Sequence, residues 1–339
     1  MRYPKFLRDN GTIGVCAPSF GSVIEPYVSK TYASIDNFDN RGHKVSLTPS
    51  VTRNRTIRSA SKSTRAKEFM SLYKNSDIDV IISQAGGEVM CEMLPELNFK
   101  SISKLEPKWF MGYSDNTCLS FLLPTLCDVS SIYGYCFHTF GMEKWHDSLE
   151  DHYKLLKGEK LKFTGYDKYE VKGVTRLPGM ALAGFNLTED VKYHVLSKNK
   201  KFKVEGRVLA GCLDVLVGLC GTKFDNVKEF NNKYKDDGVI WFVESCDLNI
   251  LSQLRAFWQL KNAGWFDCAK AIIIGRPKNK EKLFGVNYKT ANYSELKSLN
   301  IPVLIDADFG HLSPIFPIVN GGYAKVEYKD GLDIEYILK

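Results

Sequence analysis

The sequence predicts an α/β protein built around a mostly parallel sheet. Short apolar stretches of strand length alternate with segments whose apolar residues recur at helical spacing, which is typical of βαβ units. The chain has 339 residues, of which 44% are hydrophobic and 25% are charged. Those proportions are ordinary for a globular protein, and the length suits two domains or one large one.

The first part of the chain contains several of these alternations. The predicted elements are a strand at 12–18, a helix at 26–40, a strand at 44–48, a helix at 61–73 and a strand at 78–83. Ligands on parallel sheets bind beyond the carboxyl ends of the strands. Residues directly after a predicted strand are therefore the first candidates for a functional site.

One such strand end holds a serine. The apolar stretch that begins at Trp109 turns at Gly112, presents Ser114 and runs into residues 117–123, which we expect to form an amphipathic helix. The order of strand, tight turn, serine and helix is that of a nucleophile elbow. The usual second glycine is replaced by Asn116, a residue type that tolerates left-handed backbone. The structural alternative is a serine that caps the helix.

Paired glycines end another strand. Gly86 and Gly87 follow the strand at 78–83, without the Gly-x-Gly-x-x-Gly pattern of a dinucleotide site. They form either a simple tight turn or a place where the backbone approaches a ligand closely and offers an N–H group to an oxyanion. We therefore expect no dinucleotide cofactor.

Composition divides the chain into two predicted domains and a connection. Because the strand pattern fades and the chain becomes polar, we assign 1–145 to an N-terminal α/β domain that carries the nucleophile, and 146–205 to a connecting region. Residues 206–339 form the predicted C-terminal domain. Its expected elements are a strand entering a helix at 207–216, strands at 238–243, 271–275 and 302–305, a helix at 248–260 and a hairpin at 324–337.

Two strand ends in the second half carry groups able to activate a serine. Glu244 directly follows the apolar strand at 238–243, and His311 follows the strand at 302–305 after a short loop. Together with Ser114 they supply a nucleophile, a base and a carboxylate able to orient the base. Each has a structural alternative, which is a surface carboxylate for Glu244 and a hydrogen-bonded structural imidazole for His311.

The remaining histidines are weaker candidates for a catalytic base. His138 lies just past a strand and is the second choice. The others fall in polar or helical surroundings, and we expect them at the surface: His43, His146, His152 and His194.

Composition also argues against several other classes of protein. The N-terminus lacks the apolar region of a secretory signal, and no run approaches the roughly 18 apolar residues of a membrane span. We therefore expect a cytoplasmic protein that does not bind membranes. The nine cysteines are scattered without a C-x-x-C pair, which predicts reduced thiols and neither a zinc site nor a redox dithiol. The formal net charge is +7, and lysine clusters at 198–203 and 278–282 lack interleaved aromatic residues, so we expect no nucleic-acid partner.

Several short motifs, spread over nearly the whole chain, point to one family. They lie at 14–19, at 86–87 with 90–97, at 112–117 (Gly-Tyr-Ser-Asp-Asn-Thr), at 206–214, at 242–244 and at 308–311 (Asp-Phe-Gly-His). In this order they resemble the LD-carboxypeptidase family of serine peptidases, which also contains the microcin C immunity peptidases. Each motif is weak alone, and their shared order makes the resemblance specific.

This resemblance implies an active site and a substrate. It implies a catalytic triad of Ser114, Glu244 and His311, and an oxyanion hole from backbone N–H groups at Asp115 and in the Gly86-Gly87 turn. It implies an N-terminal parallel-sheet α/β domain, a smaller strand-rich C-terminal α/β domain, a homodimer, and neither a metal nor a cofactor. The implied reaction is removal of the terminal D-Ala from cytoplasmic murein tetrapeptide, cut after the L-centre of its diamino acid.

Two departures keep the substrate open. Ala210-Gly211 stands where many relatives have Gly-Gly, and Tyr113 stands where many murein carboxypeptidases have Phe. The tyrosine favours the alternative of an immunity peptidase, which cleaves an amide between an amino acid and a sulfamoyl or phosphoramide nucleotide. An alternative of another class is a catalytically silent peptide-binding module. A substrate carboxylate needs a cationic or amide partner, for which the candidates are Arg207, Lys172 and Lys223.

Overall fold

The structure, a computed structural model, describes residues 1–338. Its contacts divide the chain into two compact units. The first unit comprises Met1–Lys160 and Lys172–Asn186, and the second comprises Leu161–Val171 and Leu187–Lys339. Each unit combines parallel strands with helices, so the predicted α/β class is confirmed.

The first unit is organised around parallel strands in the order β2-β1-β3-β4-β5. The strands are β1 (Thr12–Cys16), β2 (Lys44–Leu47), β3 (Val80–Ser83), β4 (Trp109–Met111) and β5 (Ser131–Tyr133). The helices are α1 (Tyr27–Asp39), α2 (Lys62–Lys74), α3 (Phe99–Ile102), α4 (Thr117–Ser120), α5 (Leu122–Cys127) and α6 (Asp147–Leu156). Short 3-10 helices lie at Pro49–Thr52, Met90–Glu96, Ser114–Asn116 and Phe137–Gly141.

Local sequence accounts for these elements. Every residue of β3 and β4 is buried, as expected for central strands of a parallel sheet that is covered on both faces. Helix α2 begins after Ser61, whose hydroxyl accepts a hydrogen bond from the Thr64 N–H and so satisfies one of the unpaired donors of the first turn. The strands and helices predicted between residues 12 and 83 therefore lie where the pattern placed them.

The second unit contains an eight-stranded sheet in the order β6-β16-β15-β10-β11-β12-β13-β9. The strands of this unit are β6 (Lys162–Thr164), β7 (Lys168–Tyr169), β8 (Glu189–Asp190), β9 (His194–Val195), β10 (Phe202–Cys212), β11 (Val239–Glu244), β12 (Ala269–Gly275), β13 (Val303–Ala307), β14 (Ile318–Asn320), β15 (Tyr323–Tyr328) and β16 (Leu332–Ile337). The helices are α7 (Leu213–Leu219), α8 (Val227–Lys233), α9 (Ile250–Asn262) and α10 (Tyr288–Leu296), with a 3-10 helix at Lys297–Leu299.

Strand direction in this sheet places the functional residues. Strands β10, β11, β12 and β13 are parallel neighbours, and β15 and β16 form the antiparallel hairpin predicted at 324–337. In the parallel register Cys212 is opposite Glu244. The last residues of β10 and β11 are therefore side by side at the carboxyl edge of the sheet.

One predicted helix is wrong in detail. Residues 117–123, expected to form one amphipathic helix, are divided between two short helices, α4 and α5, that are separated by Phe121, and every residue of the segment is buried. The polar residues Thr117 and Ser120 are buried with their apolar neighbours. Because both faces are covered, a pattern of polar and apolar residues there does not mark a solvent-facing side.

Two histidines expected at the surface are buried. His43 Nε2 lies 2.8 Å from the Tyr153 hydroxyl, and His152 Nδ1 lies 2.6 Å from the Ser148 carbonyl oxygen. Both side chains are nearly inaccessible, and burial lowers the pKa of His152 to about 3. Polar neighbours in sequence did not indicate exposure, because these rings pack inward against aromatic side chains such as Tyr135.

The structure also bears on the predictions from composition. No helix within residues 1–338 is long and apolar enough to cross a bilayer. The nine cysteines form no disulfide in the described part of the chain, and five of them are buried: Cys16, Cys118, Cys127, Cys136 and Cys212.

Candidate active site

The serine predicted as nucleophile lies in a strained turn of the first unit. Ser114 follows β4 with a φ of 64°, a left-handed conformation that is uncommon for a residue with a side chain and is often found at functional sites. The N-cap positions of the following 3-10 helix and of α4 are Tyr113 and Asn116. Ser114 therefore does not take the N-cap position that the structural alternative requires.

The glycine pair packs against this turn. A Cβ at Gly86 would lie 3.2 Å from the Ser114 Cβ and 3.3 Å from its Oγ, and a Cβ at Gly87 would lie 2.0 Å from the Ser19 Oγ. Both positions bring backbone close to a neighbouring side chain, which favours the interpretation of close approach over that of a simple turn. The structure thus brings Gly86 and Ser114 together.

The carboxylate of Asp115 is buried in the interior of the first unit. Its Oδ2 accepts a hydrogen bond of 2.5 Å from the Ser19 hydroxyl and one of 2.9 Å from the Met90 N–H. Burial raises the pKa of Asp115, and these hydrogen bonds oppose that rise. The Asp115 side chain therefore joins the turn at Ser114 to the loop after β1 and to the loop after the glycine pair.

Asn116, the residue that replaces the usual second glycine, also stabilises the turn. Its Nδ2 donates to the carbonyl oxygens of Ala85 and Tyr113, each at 3.0 Å. It thereby joins the residue before Gly86 to the residue before Ser114. The sequence indicated only that Asn116 tolerates left-handed backbone. The structure shows in addition that its side chain links two loops.

The second unit brings Glu244 and His311 together. Glu244 ends β11 and is fully buried, and its Oε2 lies 2.8 Å from His311 Nδ1. A carboxylate at Nδ1 fixes the tautomer in which Nδ1 carries the proton and Nε2 acts as the acceptor. This is the relation that a base and its orienting carboxylate require, and it excludes the surface carboxylate considered for Glu244.

The surroundings of His311 favour its charged form. Burial lowers the pKa of this imidazole, but the Glu244 carboxylate and a hydrogen bond with the Cys246 side chain outweigh that effect, and the pKa is raised to about 10. An adjacent negative charge stabilises the imidazolium that forms when a histidine takes a proton. The Glu244 carboxylate thus stabilises the protonated form of His311 electrostatically.

An ion pair holds the loop that carries His311, and sequence reasoning missed it. Arg276 lies directly after β12, is 1% exposed and forms an ion pair with Asp308. Its Nη2 donates to the carbonyl oxygens of Leu312 and Pro314 at 3.0 and 2.9 Å. These contacts hold the chain on both sides of His311. Glu244 was a candidate because of its position at the end of an apolar strand. Arg276 also lies at the end of an apolar strand, so the same signal could have identified it.

His138, the second choice for a base, is held by the backbone of the first unit. Its Nδ1 lies 2.8 Å from the Gln84 carbonyl oxygen, and its ring meets that of Tyr27 edge-on at 5.0 Å. Burial lowers the pKa of His138 to about 4. These contacts are those of a neutral structural imidazole.

Arg207 does not lie near Glu244 and His311. Its Nε donates to Asp237 at 2.7 Å, and its register partner on β11 is Val239. Glu244 is five residues further along that strand, a separation of roughly 16 Å at about 3.3 Å per residue. Because this side chain is already paired and lies toward the opposite edge of the sheet, it is not a partner for a substrate carboxylate beside Glu244.

Models of known families match both halves of the chain. Residues 13–134 match the N-terminal domain of LD-carboxypeptidases, and residues 205–326 match their C-terminal domain. The two matches together cover most of the chain, and each contains the site residues of one unit. The resemblance seen in the motifs is therefore confirmed.

Individual relatives fall into two groups by name. The Microcin C7 self-immunity protein MccF of Escherichia coli is 27% identical over 313 residues, which cover 88% of this chain and 86% of that protein. YocD of Bacillus subtilis (strain 168), whose name places it with the carboxypeptidases, is 22% identical over 97% of both chains.

Solved structures share the fold. An MccF-like protein from Bacillus anthracis str. Ames has a TM-score of 0.84 at 20% identity and covers 99% of this chain and 100% of its own. MccF in complex with aspartyl sulfamoyl adenosine has a TM-score of 0.84 at 22% identity, with 100% and 99% covered. At these identities the likeness establishes the fold.

Proposed function

Because the chain belongs to the LD-carboxypeptidase family of peptidases, we propose that it is a serine hydrolase that cleaves an amide bond with Ser114, His311 and Glu244. The observation that carries this proposal is the 2.8 Å contact between His311 Nδ1 and the fully buried Glu244 carboxylate. A buried carboxylate bound to a partly exposed imidazole is costly to maintain for stability alone. It is what a general base requires.

The proposed reaction proceeds by acyl transfer. The Ser114 Oγ attacks the carbonyl carbon while His311 Nε2 takes the serine proton, and Glu244 stabilises the imidazolium. The amide C–N bond then breaks, and His311 gives its proton to the leaving amine. A water molecule, deprotonated by His311, hydrolyses the acyl-enzyme and restores Ser114. Backbone N–H groups at Asp115 and in the Gly86-Gly87 turn are proposed to bind the oxyanion.

The first candidate substrate is the murein tetrapeptide. Its scissile bond joins the L-centre of the diamino acid to the terminal D-Ala, which leaves a free carboxylate on the departing residue. Support comes from the two family models, both described as LD-carboxypeptidase domains, and from relatives such as YocD. The same reaction class suits a cytoplasmic enzyme of peptidoglycan recycling.

The second candidate is an aminoacyl nucleotide conjugate. It is favoured by the 27% identity to the Microcin C7 self-immunity protein MccF over most of both chains and by Tyr113 in the nucleophile motif. MccF has been solved with aspartyl sulfamoyl adenosine. The same three residues would cleave this amide, with the sulfamoyl nucleotide as the leaving group.

A mass-spectrometric end-point assay separates the candidates. Purified protein and its Ser114→Ala variant are incubated separately with murein tetrapeptide and with an aminoacyl sulfamoyl adenosine. Release of D-Ala by the wild type alone would identify an LD-carboxypeptidase, and cleavage of only the nucleotide conjugate would identify an immunity peptidase. If Ser114→Ala cuts as fast as the wild type, the mechanism is wrong. If the wild type binds a substrate and cuts neither, the chain is a silent binding module.

A further inference from the structure

A thiol lies beside the base and its carboxylate. Cys212 ends β10 and is opposite Glu244 in the parallel register. The Cys212 Sγ, a carboxylate oxygen of Glu244 and a ring nitrogen of His311 all lie within 4.8 Å of one another. The reaction proposed above uses Glu244 and His311 and gives Cys212 no role.

These three atoms match the ligand preference of zinc. Thiolate, imidazole and carboxylate are its usual protein ligands, and three of them leave a fourth position for water or another donor. With bonds of about 2.0 Å to nitrogen or oxygen and about 2.3 Å to sulfur, ligand atoms around a tetrahedral zinc lie roughly 3.3–3.7 Å apart. The observed cluster therefore requires only small side-chain movements to enclose an ion.

The environment of the cluster also suits a metal. Cys212 and Glu244 are 1% and 0% exposed, so an ion bound there would lose little attraction to solvent screening. The His311 side chain is 13% exposed and is the member of the cluster that solvent reaches most. Glycines pack tightly around the carboxylate, since a Cβ at Gly310 would lie 2.9 Å from Glu244 Oε2.

We propose that Zn²⁺, or another thiophilic divalent ion, binds Cys212, Glu244 and His311 and reversibly inhibits the enzyme. On binding, the Cys212 thiol and the His311 imidazolium each release a proton to solvent, His311 coordinates as a neutral imidazole, and no electron is transferred. The ion occupies the carboxylate and the imidazole that the hydrolytic cycle needs. The inhibition rests on the proposed function, whereas the binding of the ion does not.

Cobalt titration tests the binding directly. Co²⁺ replaces Zn²⁺ in such sites, and a cobalt–thiolate bond gives a near-ultraviolet charge-transfer band. We expect this band in the wild type, its loss on addition of Zn²⁺, and its absence in Cys212→Ala. The first matched control is Cys268→Ala, which removes a half-buried thiol of the same unit directly before β12. The second is Cys91→Ala, which removes an exposed thiol of the first unit. Both controls are expected to keep the band.

Inhibition is measured on the same proteins with whichever substrate the end-point assay identifies. We expect Zn²⁺ to inhibit the wild type and a chelator to restore its activity. The Cys212→Ala variant should need about 100-fold more Zn²⁺ for half-inhibition, because the loss of a metal ligand weakens binding at least as much as the loss of a residue that hydrogen-bonds to a ligand. If Cys212→Ala does not fold by circular dichroism, Cys212→Ser, which keeps the side-chain volume, replaces it.

The outcomes distinguish this proposal from the proposed function. A thiolate band that persists without Cys212, or equal inhibition of wild type and Cys212→Ala, overturns the metal site. An active hydrolase that shows neither band nor inhibition also overturns it and leaves the function standing. A Cys212-dependent band in a protein that cleaves neither substrate supports the ion site and contradicts the proposed function.

Discussion

His311 lies in the field of a carboxylate that solvent cannot reach. Its pKa is raised from 6.5 to about 10, with the Glu244 charge and the Cys246 hydrogen bond overcoming the effect of burial. A histidine acts as a general base only in its neutral form. In the proposed mechanism, the carboxylate that stabilises the imidazolium therefore also moves the neutral, base-competent form of His311 to higher pH.

A pH profile tests this coupling. In the wild type kcat/KM should rise with pH, with an apparent pKa above the ordinary 6.5 of histidine. Glu244→Gln removes the charge, so its apparent pKa should fall, and its maximal rate should drop by about 10²–10⁴-fold. An unchanged profile in Glu244→Gln would show that His311 is not the titrating base. Cys91→Ala, an exposed thiol of the other unit, serves as the unaffected control.

At the scale of single elements, the turn that contains Ser114 is held in place by hydrogen bonds to several loops. The 3-10 helix Ser114–Asn116 is joined to the preceding loops by Asp115, through Ser19 and Met90, and by Asn116, through Ala85. A turn with a positive φ at Ser114 persists because its neighbours hold it. The position of the hydroxyl therefore depends on the loop that contains Gly86.

Gly86→Ala tests that dependence. The added methyl would lie 3.3 Å from the Ser114 Oγ, and the backbone at Gly86 lies outside the left-handed region, so the chain can fold while the hydroxyl is displaced. We expect kcat to fall by about 10–100-fold with little change in melting temperature. Gly184→Ala, where the methyl meets nothing within 4 Å, is the matched control. Full kcat in Gly86→Ala would refute the close contact.

At the scale of the whole molecule, candidate site residues of each unit lie at the carboxyl ends of parallel strands. Ser114 follows β4 in one unit, and Glu244 ends β11 in the other. Ligand sites on open parallel sheets occur outside such ends, where the connections diverge. Both units obey this rule, and both match domains of one family.

The association of whole chains can also be tested, because the family resemblance implies a homodimer. We expect light scattering after gel filtration to give twice the 38.4 kDa mass of one chain across a tenfold range of concentration. Closed twofold dimers are the commonest oligomers of globular proteins. A mass of one chain at the highest concentration would refute this expectation.

The amino-acid sequence predicts the fold class, most strands and helices, and the strand ends that carry Ser114, Glu244 and His311. It does so because periodicity and turn residues act over a few neighbouring positions. Three-dimensional packing alone determines that Glu244 is buried against His311 and that Cys212 lies beside both. It also determines that Arg276 pairs with Asp308. These contacts join residues distant in the chain, and packing between separate strands, which no local pattern encodes, sets their burial and charge.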